Sequence, residues 1–117
     1  MSLLTATTVS DWMFRGSDYL LTVEVCENNE PFQIPAEATA KLFLAYSESD
    51  RPVVELDAHS WVRDEGLVAF KFNPEDTANL IAGAYDLYVT LYFFEQVWHV
   101  LKKRFAVIGF NQVGDFS

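Results

Sequence analysis

Residues Pro74–Val107 read PEDTANLIAGAYDLYVTLYFFEQVWHVLKKRFAV, and this stretch decides the fold class. It opens with a short helical signal over 74–81. Asn73 suits an N-cap, Pro74 the first helical position, and Glu75 and Asp76 the first turn. Gly83 is expected to close that turn through a positive φ. Beyond it Tyr85, Leu87, Val89, Leu91 and Phe93 recur at period two, which is the spacing of a strand. A second long run extends to Val107. Phe94-Glu95-Gln96-Val97 lies between the two, short enough for a hairpin although it lacks an Asn-Gly or Asp-Gly pair. Unbroken alternation along the second run puts Val97, His99, Leu101, Lys103, Phe105 and Val107 on one face. Trp98, Val100, Lys102, Arg104 and Ala106 then take the other.

Working outward, Tyr19–Cys26 alternates with Leu21, Val23 and Val25 on one side, the pattern of a half-buried strand. Glu27–Pro31 is a polar turn, and Pro31 and Pro35 confine the next piece to a loop or a sheet edge. Ala38–Tyr46 places Ala38, Ala40, Leu42, Leu44 and Tyr46 on one face. Short strands follow at Val53–Leu56, Trp61–Arg63 and Leu67–Phe72, with Asp64-Glu65-Gly66 a turn that ends on the residue best suited to it. Residues 1–14 fit an edge strand or an arm, and 109–117 a tail. About seven short strands with turn signals every 8–12 residues, and one helical turn, predict a single domain over 1–117. The expected fold class is all-β, an immunoglobulin-like antiparallel β-sandwich.

Composition narrows the function. Seventeen acids against eight bases give a net charge of −9, which opposes a nucleic-acid partner. The one basic cluster, Lys102-Lys103-Arg104, is split between two strand faces by alternation. No apolar run approaches the roughly 20 residues that span a bilayer, so no membrane is expected. The lone Cys26 forms no internal disulfide.

Catalytic patterns are sparse. His59 and His99 stand 40 residues apart with no spacing that pairs them as metal ligands. A Cys26–His99 nucleophile and base, or calcium at Asp57/Glu55, Asp64-Glu65 or Glu75-Asp76, is a weaker reading than rim residue and solvated turn. No catalytic residue, metal or cofactor site is expected.

The aromatic distribution is more informative. The second face of Tyr85–Phe94 carries Tyr88, Tyr92 and Phe94 beside Asp86 and Thr90, and Trp98 follows across the turn. A sandwich strand exposes a polar side to water, so an aromatic one asks for a cover. Protein interfaces are rich in Tyr, Trp and Phe, and Tyr88, Tyr92, Phe94 and Trp98 are the expected contact residues. The alternatives are a strand covered by loops or by the N-terminal arm, and a carbohydrate-binding β-sandwich module that stacks sugars on the same rings.

With these residues placed, the order of segments resembles a known family. Leu21–Val25, Pro31 with Ile34, and Ala38–Leu44 are followed by Gly66-Leu67-Val68-Ala69-Phe70 and Pro74-Glu75-Asp76-Thr77. Gly83-Ala84-Tyr85 and Phe105-Ala106-Val107 close the series. This series is similar to the small immunoglobulin-like domains of tailed-phage and prophage structural proteins, including the N-terminal domain of baseplate upper proteins. The resemblance spans about residues 18–108, and Pro74–Tyr85 is its most specific piece. Pro35 and Glu37 depart from it where the family often has a glycine, and no glycine precedes Phe105. The resemblance implies a non-enzymatic virion module, made in the bacterial host cytoplasm. Its expected partners are other virion structural proteins or copies of itself in a homo-oligomer.

Overall fold

A computed structural model describes residues 3–46 and 51–109. Among the described residues ten strands form two sheets. The first sheet runs β1 (Leu4–Thr8), β3 (Tyr19–Glu27), β8 (Leu67–Phe72), β7 (Ser60–Val62), and the two-residue β4 (Glu30–Pro31) also pairs with β3. The second runs β2 (Trp12–Phe14), β10 (Gln96–Ile108), β9 (Gly83–Phe93), β5 (Thr39–Tyr46), β6 (Pro52–Asp57). Every pair is antiparallel except β2 with β10. This is an immunoglobulin-like β-sandwich, as the alternation predicts. Its strand count exceeds the expected seven by three: residues 4–14 contribute two edge strands, one to each sheet, and Glu30–Pro31 adds the short β4.

The core lies between the sheets and is built from every second residue of each long strand. Leu21, Val23 and Val25 meet Val68, Phe70 and Phe72 from one sheet; Leu42, Leu44, Leu87, Val89 and Leu91 face them from the other. The helical turn is only Pro74–Thr77, with the Asn73 N–H donating to Asp76 Oδ2 at 2.7 Å. Gly83 does not end it; the chain leaves through Ala78, and Gly83 opens β9.

That end of the sandwich is held by side chains reaching backbone. The Tyr85 hydroxyl donates to the Ile81 carbonyl, the tyrosine corner of such sandwiches. Thr77 is fully buried, and its Oγ1 accepts from the Gly16 N–H at 2.8 Å. Arg15 donates to the Leu80 carbonyl at 3.1 Å. Burial, helped by a hydrogen bond with Tyr46, pushes the Tyr85 phenol up to about 12. Gly66 closes the 3-10 turn Arg63–Glu65 at φ 73°, and a Cβ there would come within 2.5 Å of the Val25 carbonyl oxygen.

The connection between β9 and β10 is tighter than expected. Phe94 and Glu95 alone form it, with φ of 53° and 59°, and Gln96 already pairs with Phe93. Alternation along β10 is also broken. The register shifts between His99 and Leu101, so Val100 is an extra residue opposite β9. The reason is parity. Trp98 at the tip and Phe105 and Val107 at the base all turn toward the core, and an odd spacing forbids that on an unbroken strand.

Candidate functional site

The register that fills the core fixes what the second sheet shows to solvent. Because Leu87, Val89 and Leu91 point inward, Tyr88, Thr90 and Tyr92 point outward. Across β5 the partner of Tyr88 is Phe43, and across β10 it is Lys102. The Lys102 ammonium sits over the Tyr88 ring, 5.8 Å from its centroid. On the next row Thr90 is flanked by Lys41 and His99. Thr90 is only 3% exposed although it faces outward, and its Oγ1 shares a 3.1 Å hydrogen bond with His99 Nδ1. Lys41 bridges Glu55 at 2.8 Å and Asp57 at 3.2 Å; these carboxylates hold its pKa above the ordinary lysine value. Arg104 pairs with Asp86 at 3.0 Å. The face therefore carries the Phe43–Tyr88 pair and Tyr92 on either side of the polar row Lys41–Thr90–His99, with ion pairs at Lys41 and Arg104.

The hairpin tip continues that face. Phe94 is 67% exposed and Val97 56%, and Glu37 and Glu95 stand beside them. The tip is braced from within. Phe93 packs edge-to-face with Phe94 at 5.3 Å, stacks on Trp98 at 5.1 Å and meets Phe32 at 5.7 Å. Trp98 thus does not share a face with Tyr88 and Tyr92, which corrects the reading from alternation: its ring turns inward and packs on the core. Its Nε1 is buried without a hydrogen-bond partner among the described residues. Below the tip, the bulge opens a hollow of about 430 Å³ lined by Tyr88, His99, Val100, Leu101 and Lys102.

Two features of this face escape a reading of the sequence. Phe43 joins Tyr88 through inter-strand register, which no local pattern encodes. Trp12 and Phe14, edge-to-face at 5.0 Å, extend the face at the far side of β10; their only signal is an inward Met13 between two aromatics.

The catalytic alternatives come apart in space. Cys26 lies at the end of β3 in the first sheet, while His99 faces outward from the second. Among the described residues no three of His, Cys, Asp and Glu gather into a metal-binding group. Lys102, Lys103 and Arg104 separate as alternation predicts: Lys103 turns to Asp11 and Thr8, away from its neighbours.

No protein-family model matches the sequence, and no curated protein matches it. Among solved structures the chain is similar to the filamin domain of Lin-41, at 13% identity and a TM-score of 0.50, covering 87% of this chain and 90% of that one. It is also similar to a superoxide reductase (neelaredoxin) from Ignicoccus hospitalis, at 12% identity and a TM-score of 0.47, over 90% and 79% of the two chains. The filamin domain supports the immunoglobulin-like sandwich and nothing narrower.

Proposed function

We propose that this protein is a non-enzymatic assembly module that binds protein through the outer face of its second sheet, in a virion of the tailed-phage or prophage type. The observation that carries the reading is the outward row Phe43–Tyr88 with Tyr92 on a central strand, where a free sandwich would be polar. Half-buried aromatic residues ringed by ion pairs match the make-up of an interface centre and rim. The virion setting rests on the segment order from Leu21 to Val107 and its likeness to phage structural domains. Partners are other virion structural proteins or further copies of the chain.

A sugar platform is the weaker reading, because Lys102 sits over the Tyr88 ring and covers the surface on which a pyranose would stack. The test is incorporation. A tagged chain expressed in the host should co-sediment with particles in a density gradient, and Tyr88→Ser/Tyr92→Ser should lower its share at least about tenfold. A folded chain absent from particles sinks the virion reading. Saturable quenching of tryptophan fluorescence by oligosaccharides would favour the sugar platform instead.

A further inference from the structure

The outer face of the second sheet distributes its charges unevenly from strand to strand. On the β6 side Glu55 and Asp57 share the one ammonium of Lys41, so a negative charge is left over, and their side chains stay 50% and 81% exposed. On the β10 side Asp86 balances Arg104, which leaves Lys102, exposed above the Tyr88 ring, and the His99 imidazole. Strand pairing sets these groups in two adjacent rows, Glu55–Phe43–Tyr88–Lys102 and Asp57–Lys41–Thr90–His99. Each row starts on a carboxylate and ends on a basic side chain, and the half-buried Phe43 and Tyr88 lie at the centre of the first.

We infer that two copies of the chain dimerise face to face through this sheet, about a two-fold axis running along the strands between β5 and β9. The inference rests on the assembly reading above and names a second copy of the chain as the partner. Rotation about such an axis moves nothing along it, so each row meets the same row of the second copy in reversed order. Lys102 then lies over Glu55 of the second copy, and the Tyr88 ring over Phe43 of the second copy, each contact made twice. In the other row His99 turns its Nδ1 to Thr90 at 3.1 Å, which leaves Nε2 for Asp57 of the second copy. Lys41, already held by its own two carboxylates, lies over Thr90 of the second copy.

Charge selects this axis over its neighbours. A two-fold across the strands would lay β10 on β10 and β6 on β6, basic side on basic and acidic on acidic, and like charges facing each other across an interface are costly. An axis along β9 itself would set Lys102 over Phe43 of the second copy and leave Glu55 outside the overlap. Sheets packed in this way cross at about 30°, which displaces a pair one and a half strands from the axis by only about 4 Å, within reach of lysine and glutamate side chains. A pattern that is its own complement is what an isologous interface needs, and an unrelated partner has no reason to match it.

Sedimentation velocity on the full chain tests this. Wild type should dimerise, and Lys102→Glu and Glu55→Lys should each weaken the dimer at least about 100-fold, since each sets like charges in both contacts. An equimolar mixture of the two variants should dimerise again, because opposite charges then meet in both contacts; a role within one copy cannot give that rescue. Far-UV circular dichroism confirms that each variant is folded, and should either not fold, His99→Glu mixed with Asp57→Lys asks the same question one row along. A wild type still monomeric at about 1 mM, a dimer indifferent to both substitutions, or a mixture no more associated than its components overturns the pairing. If such a chain still enters particles through Tyr88 and Tyr92, the assembly reading stands without a second copy. A dimer restored by mixing, in a chain that never enters particles, has the opposite meaning.

Discussion

Two hairpin turns in this molecule have the same left-handed backbone and different residues. Between β3 and β4, Asn28 and Asn29 take φ of 54° and 68°. Between β9 and β10, Phe94 and Glu95 take 53° and 59°. Asparagine tolerates this region because its short amide bonds locally, whereas a bulky residue meets its own carbonyl and loses roughly 1–2 kcal/mol. The first turn is filled for folding. The second holds strain that folding alone would have removed, and strain of this kind concentrates where a surface is used. Its two residues also place the most exposed of the described aromatic rings at the tip of the longest hairpin.

A third left-handed position sets the scale of that comparison. Gly66 has φ 73°, and a methyl group there would meet the Val25 carbonyl oxygen at 2.5 Å and Phe32 backbone at 3.0 Å. Gly66→Ala adds the left-handed penalty to a clash with backbone that cannot rotate away, so a loss of about 3–4 kcal/mol is expected. Urea denaturation should show it as a large drop in midpoint. A loss under about 1 kcal/mol would mean that the turn simply relocates, and the left-handed positions could not then be ranked.

Exchange of the two pairs is the direct way to break the contrast. Asn28→Phe/Asn29→Glu should cost about 2 kcal/mol, and Phe94→Asn/Glu95→Gly should gain about 1–2, since each moves the same strain in opposite directions. The second variant should raise the melting temperature by several degrees while removing the exposed ring from the hairpin tip. A residue present for stability cannot give that gain on removal. If Phe94→Asn/Glu95→Gly melts earlier than wild type, the ring is a structural brace and the turn is not strained.

Much of this is legible in the sequence, and the limit is register. Period two along Tyr85–Phe93 and Leu21–Val25 dictates which side chains fill the sandwich, because a buried face tolerates no slip. Tyr88 and Tyr92 face outward by the same rule. Alternation misplaces Trp98 because a bulge is a property of two strands: Val100 has no partner only once β9 is alongside. Gly83 misleads for a related reason. A glycine after a helical signal suggests a helix end, but β9 already begins at Gly83, and from inside that strand the Tyr85 hydroxyl reaches back to the Ile81 carbonyl.

Tyr85 at the far end of β9 gives a smaller, pH-dependent effect. Its phenol titrates near 12 in the fold, against about 10 when unfolded, so the folded state holds its proton more tightly. The stabilisation is complete below pH 10 and is lost as pH rises through 12, because the unfolded chain ionises first. Tyr85→Phe should cost about 1 kcal/mol at neutral pH and flatten the alkaline limb of the stability curve. An unchanged alkaline limb would assign that titration to another group. The hairpin end is braced differently, by aromatic rings packed on one another.

Trp98 is where that aromatic bracing shows its cost, and the expected effect is the smallest. Its indole stacks on Phe93 with planes 4° apart, which contributes packing, but the buried Nε1 donates to no described residue. Leaving a buried donor unsatisfied costs about 1–3 kcal/mol, and a phenylalanine in its place removes the donor while keeping a ring against Phe93. The smaller ring also leaves a void, and losing indole volume costs a similar amount. The two nearly cancel, so Trp98→Phe should shift stability by less than about 1 kcal/mol in either direction. Trp98→Ala removes the stack as well and should cost about 3–5 kcal/mol. If Trp98→Phe were as damaging as Trp98→Ala, Nε1 would be bonded in solution. The tip would then be tied to a polar group like the other end of the sandwich, and the contrast between the two ends of β9 would disappear.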